Sequence, residues 1–183
     1  MIEVEIRAKI KNLAFIKRKI KDLGGKYIKT EKQVDKIFGR KKDLDKDHKI
    51  IEGHFSARIR QKGNNILVEL KEIRRTGAGL EFSSKIPTID QGVYFLSKLD
   101  FEEAFTISKN RDIYKYKNFD ISLDKIDKLG SFIEIEHWQK TGLDREKAIK
   151  ECVNLLNKID PKVNIETKKY GDMIQELINR KNC

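Results

Sequence analysis

The first ten residues alternate strictly between apolar and charged side chains, and no other feature of the sequence constrains the fold as strongly. Apolar residues occupy the even positions from Ile2 to Ile10, and charged residues of both signs occupy the odd positions from Glu3 to Lys9. A period of two places successive side chains on opposite faces of a β-strand. The segment is therefore predicted to be a strand with one apolar face and one charged face.

The same alternation recurs along the chain, and segments with helical spacing separate the strand-like runs. The later strand patterns are Lys26–Phe38, the two runs that flank Gly63-Asn64-Asn65, Leu80–Ile86, Ala104–Tyr116, Phe119–Asp124 and Phe132–Trp138. Apolar residues at three- and four-residue spacing predict helices after Asn12, after Asp90, over Asp144–Lys158 and over Lys169–Arg180, with Asn12 and Asp90 as N-caps. The Lys- and Asp-rich stretch Arg40–Glu52 is predicted to be a solvated loop.

The charged strand faces have two interpretations. An antiparallel sheet usually buries one face and exposes the other, so a charged face is by default a solvated surface. Here, however, both signs occur on the same strand, and the amphipathic helices must cover an apolar sheet face. If the helices cover an apolar outside, the charged faces line the inside. We therefore predict an α+β fold, a closed antiparallel β-barrel of about eight strands that forms a charged tunnel with helices packed outside, in a single domain of residues 1–183.

Carboxylates and cations on these faces suit different parts of one ligand. The acidic rows are Glu3 with Glu5, Glu134 with Glu136, and Asp120, Ser122 and Asp124. Carboxylates at strand spacing can bind Mg²⁺ or Mn²⁺, which usually bind together with substrate phosphates. The cations that suit phosphate oxygens are Arg7, Lys9, Arg58, Arg60, Lys71, Lys85, Lys109 and Arg111. The alternative is that these charges form structural ion pairs.

The chain is basic, with 40 Lys and Arg against 29 Asp and Glu and a formal net charge of +11. This balance favours a polyanionic partner. Because the strand cations alternate with acids instead of forming an unbroken basic stripe, nucleic acid is disfavoured. The apolar runs are too short for a membrane span or a signal-peptide core, so we expect a cytoplasmic protein without a membrane partner. Cys152 and Cys183 are too few for a disulfide framework, and we expect both to be reduced.

The first strand, Glu3-Val-Glu-Ile-Arg-Ala-Lys9, resembles the amino-terminal ExExK signature of the CYTH superfamily of triphosphate tunnel metalloenzymes. Later segments are similar to that family's successive tunnel strands in the expected order, and together they cover nearly the whole chain. These segments are Ala57-Arg-Ile-Arg60, Val68-Glu-Leu-Lys71, Phe105–Arg111, Ile121-Ser-Leu-Asp124 and Phe132-Ile-Glu-Ile-Glu136. The family includes class IV adenylyl cyclases, thiamine triphosphatases, inorganic triphosphatases and fungal-type RNA triphosphatases.

The resemblance implies a role for each matching position. It implies metal ligands at Glu3, Glu5, Asp124, Glu134 and Glu136, with Glu69 and Glu81 as further ligands or organisers. It implies phosphate-binding cations at Arg58, Arg60, Lys71, Lys85, Lys109 and Arg111. Arg7 and Lys9 are the candidate catalytic residues. Arg7 occupies the usual Lys position and cannot readily lose a proton, so a base is not available there, and Lys9 follows on the same strand face.

The resemblance also implies an Mg²⁺- or Mn²⁺-dependent enzyme that acts on a small triphosphate, as a monomer or a homodimer. Chain length and the form of the first strand are most similar to the class IV adenylyl cyclases, which convert ATP to cyclic AMP and pyrophosphate. A triphosphatase for thiamine triphosphate, inorganic triphosphate or a nucleoside triphosphate has nearly the same constellation. The third hypothesis is a non-catalytic protein that binds polyphosphate or a nucleotide.

Overall fold

A computed structural model describes residues 2–74, 80–139 and 145–181, and the side chains of residues 2, 3, 138, 139 and 181 lie outside the described part. The strands are β1 (Ile2–Ile10), β2 (Lys26–Gly39), β3 (Phe55–Lys62), β4 (Asn65–Glu72), β5 (Glu81–Lys85), β6 (Glu102–Tyr116), β7 (Phe119–Ile126) and β8 (Gly130–Gln139). The helices are α1 (Leu13–Asp22), α2 (Ile89–Ser97), α3 (Arg145–Ile159) and α4 (Tyr170–Lys181). Every strand and α-helix predicted from the sequence is present.

The eight strands form one antiparallel sheet in the order β1-β8-β7-β6-β2-β3-β4-β5. Several strands that follow one another along the chain pair as hairpins, for example β3 with β4 across the turn at Gly63, where φ is +55°. Two pairings are not of this kind, because β1 pairs with β8 and β6 lies beside β2. Within the described residues, no ladder joins β1 to β5, the strands at the two ends of this order. The α+β class and the eight-stranded antiparallel sheet are therefore confirmed, whereas the hydrogen bonding does not confirm the closed barrel.

The chain divides into two compact units. The first unit comprises Met1–Glu31 and Lys109–Lys168, and the second comprises Lys32–Ser108 and Lys169–Cys183. Strands β2 and β6 contribute residues to both units. The single domain over residues 1–183 stays a prediction.

The apolar strand face of the first unit is covered by helices α1 and α3. Register places Ile6 opposite Ile135 and Ile135 opposite Ile121, so the three side chains share one face. The helical residues buried in the same core are Ile16, Ile20, Ala148, Cys152, Leu155, Leu156 and Ile159. Each fully buried Leu or Ile stabilises the fold by about 1.5–3 kcal/mol. Helix α1 begins as predicted, because the Asn12 side chain accepts a hydrogen bond from the Phe15 amide at 3.0 Å.

The apolar face of the second unit packs against α2. Gly92 lets this helix approach β3 closely, because a Cβ atom at Gly92 would lie 2.9 Å from Cδ1 of Ile59. The prediction that Asp90 caps α2 is wrong. The N-cap is Thr88, whose hydroxyl accepts from the Gln91 amide at 3.2 Å, and Asp90 lies in the first turn, where a carboxylate favours the helix dipole.

The stretch Arg40–Glu52 was predicted to be a solvated loop, and this is partly wrong. It contains a 3₁₀ helix at Lys41–Asp43 and a bridge between Leu44 and Ile50. The Asp43 side chain is buried, and it lies 2.5 Å from Arg40 Nε and 2.8 Å from His54 Nδ1. Burial alone would raise the pKa of Asp43, but the hydrogen bonds from Arg40 and His54 lower it. The loop is thus anchored by a buried carboxylate with two partly exposed partners, an arrangement that charge density alone does not reveal.

Within the described residues, the helices are all too short or too polar to cross a membrane.

Candidate functional site

The charged face of the first unit brings together most of the predicted metal ligands. Antiparallel register places Arg7 opposite Glu134 and Glu134 opposite Ser122. The next row along the face contains Lys9, Phe132, Asp124 and Arg111. Because directly opposed residues point to the same face, these side chains and Lys109 share one polar surface. This surface is opposite to the one that α1 and α3 cover.

Glu134 is the most constrained acid on this surface. Its side chain is 4% exposed, and it accepts hydrogen bonds from Arg7 Nε at 2.6 Å and from Nη2 of Arg111. Burial by itself would raise the pKa of Glu134, but the charges of Arg111, Arg7 and Lys109 lower this pKa to about 2. The carboxylate is therefore ionised throughout the neutral range. It can serve as an oxygen ligand or as a counter-charge, and it is a poor proton carrier.

Asp124 is fully buried and is bound by two cations. The guanidinium of Arg111 donates through Nε to Oδ1 at 2.7 Å and through Nη2 to Oδ2 at 2.6 Å, which is the bidentate geometry that Arg forms with carboxylates. Lys109 donates to Oδ2 at 3.2 Å and is itself buried. Since Arg111 also bonds to Glu134, the two acids and two cations form one connected network.

The two candidate catalytic residues differ in their surroundings. Arg7 is 13% exposed and donates to Glu134, to Glu5 Oε1 at 2.5 Å and to the Lys168 carbonyl at 3.1 Å. These three acceptors fix its guanidinium against the β8 acids. Lys9 lies further along the strand, is exposed, and places Nζ 5.8 Å from the centre of the Phe132 ring. The structure thus places Arg7 inside the charged network and Lys9 beside it.

A second row on the same face consists of three carboxylates. Glu5 lies opposite Glu136 in the β1–β8 ladder, and Glu136 lies opposite Asp120 in the β7–β8 ladder. Like charges directly opposed across a sheet are destabilising unless a cation lies near them, and Lys115 donates to Asp120 at 2.8 Å. The backbone of Glu3 belongs to β1, but its side chain lies outside the described part.

The predicted ligands suit a hard divalent cation, both because they are carboxylates and because the strand register places them on one face. Carboxylate oxygens are the ligands that Mg²⁺ and Mn²⁺ prefer, and the predicted ligands Glu5, Asp124, Glu134 and Glu136 share one sheet face. In the described part of the chain, however, no group of three or more acidic, His or Cys side chains is already arranged to hold a metal ion. Asp124 and Glu134 instead bind guanidinium groups, so metal binding would require an exchange of partners.

The second unit carries its own network of acids and guanidinium groups. Arg58 donates to Glu69 Oε2 at 2.6 Å, and Arg60 forms two bonds to Asp35, at 2.7 and 2.6 Å. Asp35 is 4% exposed and also lies 3.7 Å from Arg58. The predicted phosphate-binding pair on β3 is thus held by one buried carboxylate on β2 and another on β4.

The remaining predicted residues of the second unit are more exposed. Lys71 donates to Glu81 Oε2 at 3.2 Å, and the two side chains are 51% and 44% exposed. Lys85 lies opposite Leu67 in the β4–β5 ladder, on the strand face that also carries Glu69 and Lys71. The six predicted residues of this unit therefore share a face, with Glu69 buried and the β5 charges open to solvent.

Sequence reasoning missed Asp35, the acid with the clearest contacts in the second unit. Its signal was present, because Gln33 and Asp35 alternate with Val34 in β2 and both are buried. Lysines at positions 32 and 36, on the other strand face, obscured this alternation. The partner, Arg60, is 25 residues away, so local spacing could not predict the pair.

The comparisons with known proteins agree with this arrangement of strands. A model of the CYTH domain matches residues 1–169. "Putative adenylate cyclase MJ0240" of Methanocaldococcus jannaschii is 32% identical over 179 residues, and the match covers 94% of this chain and 98% of that protein.

Solved structures show the same fold at lower identity. The PH1012 protein of Pyrococcus horikoshii OT3 is 23% identical with a TM-score of 0.74, and the match covers 92% of this chain and 97% of that one. HpAC1 of Hippeastrum, whose structure is described with a dominant triphosphatase activity, is 17% identical with a TM-score of 0.70 and 96% of each chain covered. Because the family model covers most of the sequence and a relative above 30% identity spans nearly all of it, the chain belongs to the CYTH domain family.

Proposed function

We propose that the protein is a divalent-metal-dependent enzyme that acts on a triphosphate, with conversion of ATP to cyclic AMP and pyrophosphate as the first candidate reaction. Family membership supports the triphosphate class, and the name of the M. jannaschii relative supports the cyclase. In this reaction the ribose 3′-oxygen attacks the α-phosphorus in line, and pyrophosphate leaves.

The observation that carries the proposal is the balance of charge in the two networks. In the first unit, Glu5, Asp124 and Glu134 alternate with Arg7, Lys109 and Arg111. In the second unit, Asp35, Glu69 and Glu81 alternate with Arg58, Arg60 and Lys71. A triphosphate with bound divalent ions also carries both signs. Within either network, such a ligand can give the acids a metal ion and the cations a phosphate group, so that no buried charge loses its partner.

A ligand that carries only negative charge, or only positive charge, cannot provide partners for both the acids and the cations. A phosphate group that took Arg111 away from Asp124 would leave a fully buried carboxylate without its main partner. Breaking a buried pair in this way costs about 3–5 kcal/mol. We therefore expect the metal and the triphosphate to bind cooperatively, each lowering the cost of binding the other.

The proposal assigns a role to each predicted site residue. Metal ligands are Glu3, Glu5, Asp124, Glu134 and Glu136, with Glu69 and Glu81 as further ligands or organisers. The phosphate-binding cations are Arg58, Arg60, Lys71, Lys85, Lys109 and Arg111. Bound Mg²⁺ or Mn²⁺ would neutralise phosphate charge and lower the pKa of the attacking hydroxyl. Arg7 would position Glu5 and Glu134 and stabilise negative charge, and Lys9 is the candidate for proton transfer.

Hydrolysis is the second candidate reaction, and a specific comparison favours it. HpAC1 of Hippeastrum shares the fold and is described with a dominant triphosphatase activity. Water would then attack the terminal phosphorus of thiamine triphosphate, inorganic triphosphate or a nucleoside triphosphate. Binding of polyphosphate or a nucleotide without turnover is the third candidate. The closed tunnel and the cytoplasmic location also stay proposals.

The test is incubation with ATP, thiamine triphosphate and inorganic triphosphate, each with Mg²⁺ or Mn²⁺ and each with EDTA, followed by separation of the products. Cyclic AMP with pyrophosphate supports the cyclase. If orthophosphate forms without any cyclic nucleotide, the cyclase proposal fails and the triphosphatase proposal takes its place.

A matched pair of variants tests the metal ligands. Glu5→Gln removes a predicted ligand whose side chain is 36% exposed, and Glu102→Gln makes the same change at an acid that is 62% exposed and pairs with Lys41. We expect Glu5→Gln to lower kcat/KM by about 100-fold and Glu102→Gln to leave it unchanged. If no substrate is turned over and Glu5→Gln leaves metal-dependent triphosphate binding unchanged, the catalytic proposal fails.

A further inference from the structure

Asp35 in β2 is a buried acid of the second unit that is not among the predicted metal ligands. Its carboxylate accepts two hydrogen bonds from the guanidinium of Arg60, from Nε to Oδ1 at 2.7 Å and from Nη2 to Oδ2 at 2.6 Å. Strand register places the two residues directly opposite each other in the β2–β3 ladder. Two parallel N–H···O bonds fix the plane of a guanidinium as well as its distance. Asp35 therefore sets the orientation of the Arg60 side chain.

Arg58, the other predicted phosphate-binding residue of β3, is held less rigidly. Its Nε atom donates to Glu69 at 2.6 Å, while the carboxylates of Asp35 and Glu81 lie 3.7 and 3.9 Å from its terminal nitrogen atoms. Its side chain is 25% exposed, compared with 14% for Arg60. Arg58 is therefore shared among three acids and can shift towards a ligand more easily, whereas Arg60 has a bidentate partner.

The bonds to Asp35 lie on one edge of the Arg60 guanidinium. This group has five N–H donors, and the two bonds use Nε and one side of Nη2. A phosphate that approaches from another edge does not have to displace the carboxylate. Displacement would leave a buried carboxylate without its main partner, which is strongly unfavourable. We therefore expect Arg60 to remain bound to Asp35 when a phosphate binds.

The stability of the fold does not by itself explain a charge at this position. Burying an ion pair removes both charges from water, so well-packed apolar residues of similar size are often as stabilising. The next residue of β2 on the same strand face, Ile37, is apolar and lies opposite Arg58. This face of β2 therefore tolerates an apolar side chain, and the carboxylate of Asp35 occurs where it meets Arg60.

From these contacts we propose that Asp35 is a positioning residue of the triphosphate site, which holds the guanidinium of Arg60 in the orientation that binds a phosphate group. The inference rests on the proposed function, and it adds a residue that acts through Arg60 and contacts neither phosphate nor metal. A donor that is already oriented needs little rearrangement when it meets the charge of a phosphate, and this favours the reaction. Arg58, which three acids share, adjusts to the ligand while Arg60 keeps its place.

Two substitutions separate the position of this carboxylate from its charge. Asp35→Glu keeps the charge and moves the carboxylate by one methylene group, whereas Asp35→Asn keeps the shape and removes the charge. We expect both to lower kcat/KM, by about 10–100-fold, for the triphosphate that the unmodified chain converts. If Asp35 acted through its charge alone, Asp35→Glu would be as active as the unmodified chain, and Asp35→Asn would bind the polyanion more tightly.

Glu103→Gln is the matched control, because Glu103 pairs with Lys36, the next residue of β2, whose side chain lies on the opposite strand face. This variant should leave kcat/KM unchanged. Urea unfolding verifies that each variant is folded under the conditions of the assay. A purely structural role of Asp35 would lower the free energy of unfolding and leave kcat/KM of the folded variants unchanged.

The orientation of Arg60 can also be measured without turnover. The Nε–H signal of Arg60 in a ¹H–¹⁵N NMR spectrum of the ligand-free chain is assigned from its loss in Arg60→Lys. We expect this Nε–H to exchange with water about tenfold faster in Asp35→Asn than in the unmodified chain. Equal exchange in the two proteins, or an Asp35→Glu variant as active as the unmodified chain, overturns the inference alone. An unmodified chain that neither binds nor converts a triphosphate with Mg²⁺ or Mn²⁺ overturns the proposed function, and the inference with it.

Discussion

Replacing Glu134 by Gln removes a buried negative charge that Arg7, Lys109 and Arg111 share, and the cost can be calculated from its pKa. The pKa falls from 4.5 to about 2 in the folded chain. A difference of about 2.5 units, at 1.36 kcal/mol each, corresponds to about 3 kcal/mol of stability at neutral pH. Gln keeps the size and one oxygen acceptor but leaves the cations without this charge. We therefore expect Glu134→Gln to lower the free energy of unfolding by about 3 kcal/mol at pH 7.

The pH dependence of this difference is the sharper measurement. A carboxyl whose pKa is lowered by folding stabilises the protein above its unfolded pKa, and this contribution is lost as the pH falls towards the folded pKa. The difference between the unmodified chain and Glu134→Gln should thus be constant above pH 5 and decline to roughly half of its neutral-pH size at pH 3. Urea unfolding followed by circular dichroism, at several pH values and fixed ionic strength, measures it. Guanidinium chloride is unsuitable because its ions would screen the network.

Glu102→Gln is the control, because its exposed carboxylate should change stability by less than about 0.5 kcal/mol at any pH. Two results would refute the reasoning. The first is a Glu134→Gln effect no larger than that of the control. The second is a large effect that does not change between pH 7 and pH 3, since this would reflect packing and not charge.

Three further predictions concern other parts of the fold. Asn12→Ala should cost about 1 kcal/mol in urea unfolding, because the Phe15 amide loses its acceptor, whereas Asn12→Ser should recover most of this loss. Asp43→Ala should cost about 2–3 kcal/mol, since it leaves the Arg40 side chain without its carboxylate and removes the acceptor of His54; equal stability of this variant and the unmodified chain would contradict a structural role for the pair. Burial raises the pKa of the Cys152 thiol to about 11, so iodoacetamide should alkylate this residue only after unfolding, as peptide mass spectrometry would show.

The strands and helices were predictable because their signals are local. Alternation with a period of two in β1 and helical spacing after Asn12 each lie within about ten residues, and each specifies one element without knowledge of the rest. The shared polar face was also predictable, because opposed residues of antiparallel strands point to the same side. The resemblance of successive strands to one family then placed the candidate site.

The ion-pair partners within the site could not be predicted from local pattern. Arg7 meets Glu134 across 127 residues of sequence, and the register of β1 with β8 decides that Glu134, and not Glu136, lies directly opposite it. Burial of Asp43 depends in the same way on His54, which approaches only when the connector folds back. Strand register and burial both depend on residues that are far apart in the sequence. The sequence therefore predicts which residues are charged, but not which of them form ion pairs with each other.

The described network is better suited to stabilising charge than to moving protons, and this bears on where catalysis would come from. A general base or acid is most efficient when its pKa lies near the working pH. Glu134, with a pKa of about 2, is far below neutrality, and the guanidinium groups of Arg7 and Arg111 remain protonated in proteins. These side chains are instead fixed by several contacts each, so they would need little rearrangement to meet charge that develops on a phosphate. Under the proposed function, this chain's own contribution to rate would therefore be mainly positioning and electrostatic stabilisation, and the proton of the attacking hydroxyl would have to leave through Lys9 or solvent.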